Sequence, residues 1–201
     1  MKLKICGLKD PENIKEVAKL KPAYMGFIFY EGSKRFVGEN FVMPEFSSEI
    51  KKTGVFVNAG AGYIIDKIDE YQLDAVQLHG NETPQFCEVF SHFTEVIKAF
   101  GMDEDFDFET LVAYKNTCHY FLFDTKTTEH GGSGRIFDRK ILVKYKLDVP
   151  FFLSGGIGLE EMKELGIINY ELKIFGVDVN SKFETRPGMK DIERLKKIIL
   201  H

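Results

Sequence analysis

Cysteine is scarce in this chain: Cys6, Cys87 and Cys118 are the only three in 201 residues, far apart and without a CxxC spacing. A disulfide framework or a structural zinc site is therefore not expected, and the usage points to a reducing compartment. Histidine is nearly as sparse, and His79 has no second His at ligand spacing. Transition-metal sites need clustered His and carboxylate ligands, so metal-dependent epimerase or aldolase chemistry is disfavoured, and neither metal nor cofactor is expected. No excess of basic residues exists, since the net charge is -4. Neither nucleic acid nor an anionic membrane is then suggested as a partner, although a local anion site stays open. No run approaches the ~18 apolar residues of a membrane span. MKLK leads straight into ICG without an apolar leader region, so a cytoplasmic protein is expected.

What is present is ordinary globular composition, 44% hydrophobic and 29% charged, over a length that suits one domain, residues 1–201. Eight short apolar runs read as strands: LKICG (3–7), YMGFIFY (24–30), KTGVFVN (52–58), AVQLHG (75–80), EVIKAFG (95–101), YFLFDT (120–125), PFFLSGG (150–156) and LKIFGVDV (172–179). Helix-like stretches separate them. DPENIKEVAKL carries Pro11 in its first turn, LEEMKELG closes on Gly166, and KDIERLKKIIL has helical periodicity. FVMPEFSSEI, broken by Pro44, supports only a short helix.

Parallel neighbours need crossover connections, and eight strand–helix units are the number that closes a (β/α)8 TIM barrel. The chain is shorter than the roughly 250 residues typical of that fold, so its loops must be short. An open doubly wound sheet is the alternative. It would place GxGxxG after the first strand, whereas here the Gly-rich signals follow strands six and seven. Late glycines suit the barrel, whose phosphate site usually follows strands seven and eight.

One barrel rim would then collect the chemistry. Asp124 ends strand six, Cys6 ends strand one, Asp178 lies near the end of strand eight, and Gly155 and Gly156 end strand seven. Each has a plainer reading: an Asp at a strand end often orders a loop, and a free Cys is most often a small core residue. Their convergence on one rim favours function. SGGIG (154–158) and VNSKFE (179–184) together form a candidate phosphate cup built from backbone N–H groups. GGSG (131–134) is a third contributor or a lid, in a loop of about ten residues that is long for so compact a chain. Arg35 can grip a substrate carboxylate or phosphate bidentately, or stand as a solvated charge. His79 reads as a hydrogen-bonded rim residue or a base, and Cys87 and Cys118 as packing residues.

KICG (4–7), GFIF (26–29) with SKR (33–35), GVFVN (54–58), QLHG with Glu82, FDT with GGSG and FD (137–138), LSGGI (153–157), and GVDVNS with PGMKD (187–191) occur in one order along nearly the whole chain. In that order they resemble the markers of the phosphoribosylanthranilate isomerase family of tryptophan biosynthesis. The resemblance implies an Amadori rearrangement of N-(5-phosphoribosyl)anthranilate, a phosphorylated aminosugar, into its 1-deoxyribulose counterpart. It implies Asp124 as general acid, Cys6 as general base, Arg35 on the anthranilate carboxylate, Gly155, Gly156, Asn180 and Ser181 around the phosphate, and Asp178 near the ribose or amine.

That assignment demands shifted protonation, because Asp near pKa ~3.9 and Cys near ~8.5 rest in the wrong states at neutral pH. Lys4, two residues before Cys6 on the same side of its strand, is a candidate to lower the thiol. The chain departs from the family in having Asn180-Ser181-Lys182 where Ser-Ser-Gly is usual, so a positive φ at Lys182 would strain the loop. Asp138-Arg139 replaces Asp-Trp, which bears on helix packing. The histidine-pathway isomerase and a non-catalytic phosphate-ligand barrel remain as alternatives. A monomer is the simplest assembly.

Overall fold

The computed structural model describes residues 1–125, 138–172 and 174–199. Eight strands, β1 (Lys2–Ile5), β2 (Tyr24–Ile28), β3 (Lys51–Phe56), β4 (Ala75–Leu78), β5 (Glu95–Met102), β6 (Tyr120–Thr125), β7 (Phe151–Leu153) and β8 (Gly176–Val179), pair in sequence order into a closed barrel, with β8 returning to β1. Every pairing in the barrel is parallel. The fold is the (β/α)8 barrel.

Among the described residues the α-helices are α1 (Pro11–Ala18), α2 (Ala61–Tyr71), α3 (Pro84–Ser91), α4 (Leu159–Leu172) and α5 (Ile192–Ile199). Asp10 caps α1 by accepting from the Asn13 N–H at 2.9 Å, with Pro11 where a missing N–H costs nothing. Four connections depart from expectation. Residues 38–50 hold no helix, because Pro44 removes a donor and the segment crosses as turns and irregular backbone. The fifth and sixth units use 3-10 turns, Phe108–Tyr114 and Arg139–Lys144, the latter capped by Asp138, which accepts from Lys140 N. Helix α4 runs through Gly166 to Leu172, and β8 begins four residues later than the apolar run suggested. A single Gly costs a helix only ~1 kcal/mol, less than a packed helix gains from continuing.

Strand alternation divides the apolar residues into two shells. Ile5, Met25, Phe27, Phe56, Val76, Leu78, Phe121, Phe123, Leu153 and Val177 face the outer layer. Tyr24, Ala75, Ile97, Ala99, Leu122 and Phe152 fill the barrel. The same alternation turns Lys4, Cys6, Gln77, His79, Asp124 and Asp178 inward.

Polar groups hold the upper ends of β3, β4 and β5. Lys98 Nζ lies 3.2 Å from Leu78 O, 2.8 Å from Gly80 O, 3.0 Å from Ala99 O and 3.1 Å from Glu82 Oε2. Glu82 accepts in turn from the N–H groups of Asn58 (2.8 Å) and Gly80 (2.9 Å). Both side chains are 3% exposed. Removing one partner of such a pair strands a buried charge. Lys98→Met is expected to lower unfolding free energy by about 3–5 kcal/mol in urea titration. Lys15→Met, which breaks only an exposed pair with Glu12, should change it by under about 0.5 kcal/mol.

Candidate active site

The barrel closes on a charged pair. Lys4 and Asp178 are register partners across the β1–β8 seam, and Lys4 Nζ donates to Asp178 Oδ1 at 2.9 Å. Lys4 is wholly buried and Asp178 5% exposed. Asp178 Oδ2 also faces Ser154 Oγ at 3.4 Å. The carboxylate and the Cys6 side chain hold the Lys4 pKa above its ordinary value despite burial.

Cys6 sits above this pair. Burial pushes its thiol up, Lys4 and Lys190 pull it down, Asp178 pushes it up again, and the balance is raised. Lys4 therefore acts in the direction foreseen, but dehydration wins. The thiol's place is made by Gly26: a Cβ there would lie 2.7 Å from Cys6 Sγ and 3.1 Å from its Cα. This explains the glycine inside GFIF, which sequence reasoning left without a role.

Across the mouth, Asp124 is the last residue but one of β6. Its Oδ1 accepts from Thr125 N at 2.8 Å, and Oδ2 faces His79 Nε2 at 3.4 Å. Gly155, at φ +85°, presses against this acid, since a Cβ there would meet Thr125 Oγ1 at 2.3 Å and Asp124 Oδ1 at 3.0 Å. The carboxylate is about one quarter exposed, at 28%.

Arg35 is held by a residue the sequence reading did not assign. Its Nε donates to Glu184 Oε1 (2.9 Å) and Oε2 (3.0 Å), and its Nη2 to Oε2 (2.7 Å). Glu184 also accepts from Lys190 Nζ at 2.8 Å and Gly188 N at 3.1 Å. These cations hold the Glu184 carboxyl below its usual range against burial, while burial lowers Lys190. Glu184 and Lys190 lie on the small hairpin β9 (Glu184–Arg186) and β10 (Met189–Lys190). The PGMKD turn was the visible signal. A Cβ on Gly7 would meet Arg35 Cδ at 2.6 Å and Asn180 Oδ1 at 2.7 Å, which puts both side chains over the end of β1.

The loops that follow β7 and β8 adjoin. Gly155 and Gly156 both have positive φ, +85° and +65°, and a Cβ on Gly158 would lie 3.7 Å from Lys182 Cβ. Ser181 is exposed and opens the 3-10 turn Ser181–Phe183, whereas the Asn180 side-chain oxygen accepts from Lys190 Nζ at 2.7 Å. Lys182 is not among the positive-φ residues, so the strain considered for it does not arise. GGSG at 131–134 lies outside the described residues. Among the described residues no group of His, Cys, Asp or Glu is arranged to hold a metal ion, and no helix is long and apolar enough to cross a membrane. Cys87 and Cys118 are buried in the outer shell.

Burial raises the Cys6 pKa, so its alkylation is expected to need a pH above the ordinary thiol range. Lys4→Met should move the iodoacetamide rate profile of Cys6 further to alkaline pH, measured with Cys87 and Cys118 replaced by Ala. An unchanged profile would remove Lys4 from the account.

The sequence model of the family N-(5'phosphoribosyl)anthranilate (PRA) isomerase matches residues 3–201. N-(5'-phosphoribosyl)anthranilate isomerase of Parabacteroides distasonis is 44% identical, over 99% of this chain and 92% of that protein. The crystal structure of phosphoribosyl anthranilate isomerase from Thermotoga maritima superposes with a TM-score of 0.84 at 32% identity, covering 99% of this chain and 97% of that one. A phosphoribosyl anthranilate isomerase solved with reduced 1-(o-carboxyphenylamino)-1-deoxyribulose 5-phosphate gives 0.82 at 29% identity, covering 99% and 96%. With these likenesses spanning barrel and rim together, the chain belongs to the N-(5'-phosphoribosyl)anthranilate isomerase family, the enzymes that carry out this isomerisation in tryptophan biosynthesis.

Proposed function

We propose that, in the isomerisation of N-(5'-phosphoribosyl)anthranilate by this chain, Asp124 is the general acid and Cys6 the general base. The observation that carries the reading is the placing of a partly exposed carboxylate and a buried thiol on inward strand ends of one mouth, the thiol beside two lysines. Asp124 gives its proton to the ribose ring oxygen as the C1–O bond breaks, and the amine lone pair forms the C=N bond of a Schiff base. The Cys6 thiol gives its proton to water as the cationic Schiff base forms, and the thiolate then takes the C2 proton. The C–H electrons become the C1=C2 bond, and the C=N pair returns to nitrogen. The resulting enol becomes the ketone as C1 gains the proton held by Cys6 and the C2 hydroxyl gives its proton up, which restores Asp124 as the acid. Hydrogen has moved from C2 to C1 within one molecule, so the balance needs no external hydride.

The raised pKa of free Cys6 fits this order of events, because a cationic Schiff base forming at its side favours the thiolate when it is needed. Gly155, Gly156, Asn180 and Ser181 line the phosphate. Support comes from the left-handed glycines and the exposed Ser181, with Asn180 contributing through its backbone because its side chain serves Lys190. Arg35 binds the anthranilate carboxylate with the guanidinium edge that Glu184 leaves open. Asp178 works beneath the ribose as counter-ion to Lys4. These residues belong to one chain, in keeping with a monomer, and the reading suits a cytoplasmic enzyme.

The test is the decay of phosphoribosylanthranilate fluorescence without added metal or nucleotide. Wild type should give rapid decay, and Cys6→Ser and Asp124→Asn should each lose about 10²–10⁴-fold or more in kcat. Wild-type rates in either variant would overturn that residue's role. Retained ligand binding with lost turnover separates the enzyme from a mere binding barrel.

A further inference from the structure

Gln77 is the one polar side chain in the strand AVQL, and it is 1% exposed. Two residues on, on the same inward face, His79 stands between it and Asp124. Gln77 Nε2 is 2.7 Å from His79 Nδ1, and His79 Nε2 is 3.4 Å from Asp124 Oδ2. The three side chains form a line that ends on the acid.

The amide orientation decides what the line does. With Nε2 towards the ring, the amide donates to the Nδ1 lone pair, and only the Gln77 oxygen is left without a partner. Turned over, the amide would leave an NH2 orphaned in the barrel instead, and buried N–H groups without acceptors are the rarer and costlier case. The first orientation engages Nδ1 as an acceptor, so the ring proton resides on Nε2, facing Asp124. The backbone beneath is fixed independently. His79 N donates to Phe56 O at 2.8 Å, and the carbonyls on either side of His79, those of Leu78 and Gly80, both accept from the buried Lys98.

We propose that Gln77 locks His79 in its neutral Nε2–H tautomer and that this N–H stabilises the Asp124 carboxylate as it forms. The inference rests on Asp124 being the acid. When the Asp124 O–H bond breaks and the ring oxygen takes the proton, negative charge appears on a carboxylate whose Oδ1 already holds an N–H. The His79 N–H then supplies the donor for Oδ2. At 3.4 Å the contact is long in the free enzyme and tightens as charge develops, so it favours the transition state over the ground state. His79 keeps its own proton throughout. It is a positioning residue, acting through Asp124.

Two measurements test this. Long-range 1H–15N correlation spectra of the wild type should show the His79 Nε2 as protonated and Nδ1 as bare; the reverse pattern overturns the proposal. In steady-state assays His79→Ala should lower kcat by about ten- to a hundredfold with KM little changed, and Gln77→Glu, which draws the proton to Nδ1, should lower kcat in the same way. The decisive arm is the double variant. His79→Ala should add little to the loss already caused by Asp124→Asn, whereas a multiplicative loss, or a rise in KM alone, would make His79 an independent substrate contact and defeat the proposal. If Asp124→Asn is inactive and His79→Ala is fully active, this inference fails while the acid assignment stands. If Asp124→Asn is itself fully active, the acid assignment fails and this inference falls with it.

Discussion

A lysine and an aspartate with almost no access to water join the first and last strands of this barrel. Each alone would be a heavy penalty in the interior, since a buried charge without a partner costs several kcal/mol. Together Lys4 and Asp178 satisfy each other in direct register across the seam. The pair therefore couples two things that are separate in many proteins, closure of the fold and the electrostatics of the Cys6 thiol. The Cys6 thiol stands next to the cation and cannot ignore the anion behind it.

From that seam the rest of the rim follows as a series of held side chains. Glu184 and Lys190 on the small hairpin fix Arg35 and Asn180. The Lys98–Glu82 pair ties the ends of the neighbouring strands and so fixes the backbone of His79. Gly26 and Gly155 give up their side chains so that Cys6 and Asp124 have room. Charge in this site is seldom free. It is buried, paired and bonded to backbone, which limits the reorganisation left for the moment of reaction.

Much of this was legible in the chain. The eight apolar runs became the eight strands, and the residues at their C-terminal ends became the rim, because period-two alternation fixes which side chains look inward. What escaped has physical reasons. Gly166 looks like a helix stop, but its local cost is small beside tertiary packing, so α4 passed through it. Lys4 was recognisable as a neighbour of Cys6 from spacing alone. Its partner Asp178 lies 174 residues away, and the extent of burial that outweighs the cation is a property of the closed barrel. Glu184 sat in plain view between two family markers, and nothing local tells that its carboxylate reaches Arg35. Gln77, a lone amide in an otherwise apolar strand, was a usable signal for a buried polar contact.

The central claim is that a thiol on this buried ion pair removes the C2 proton of the sugar. It is tested most directly with substrate carrying deuterium at C2 of the ribose, by following loss of the label in wild type and in Cys6→Ser. The account predicts that wild type removes the label with a primary isotope effect on turnover, and that Cys6→Ser leaves C2 labelled even where the ring has opened. Removal of the label at the wild-type rate by Cys6→Ser would contradict it and assign the base to another group in the mouth.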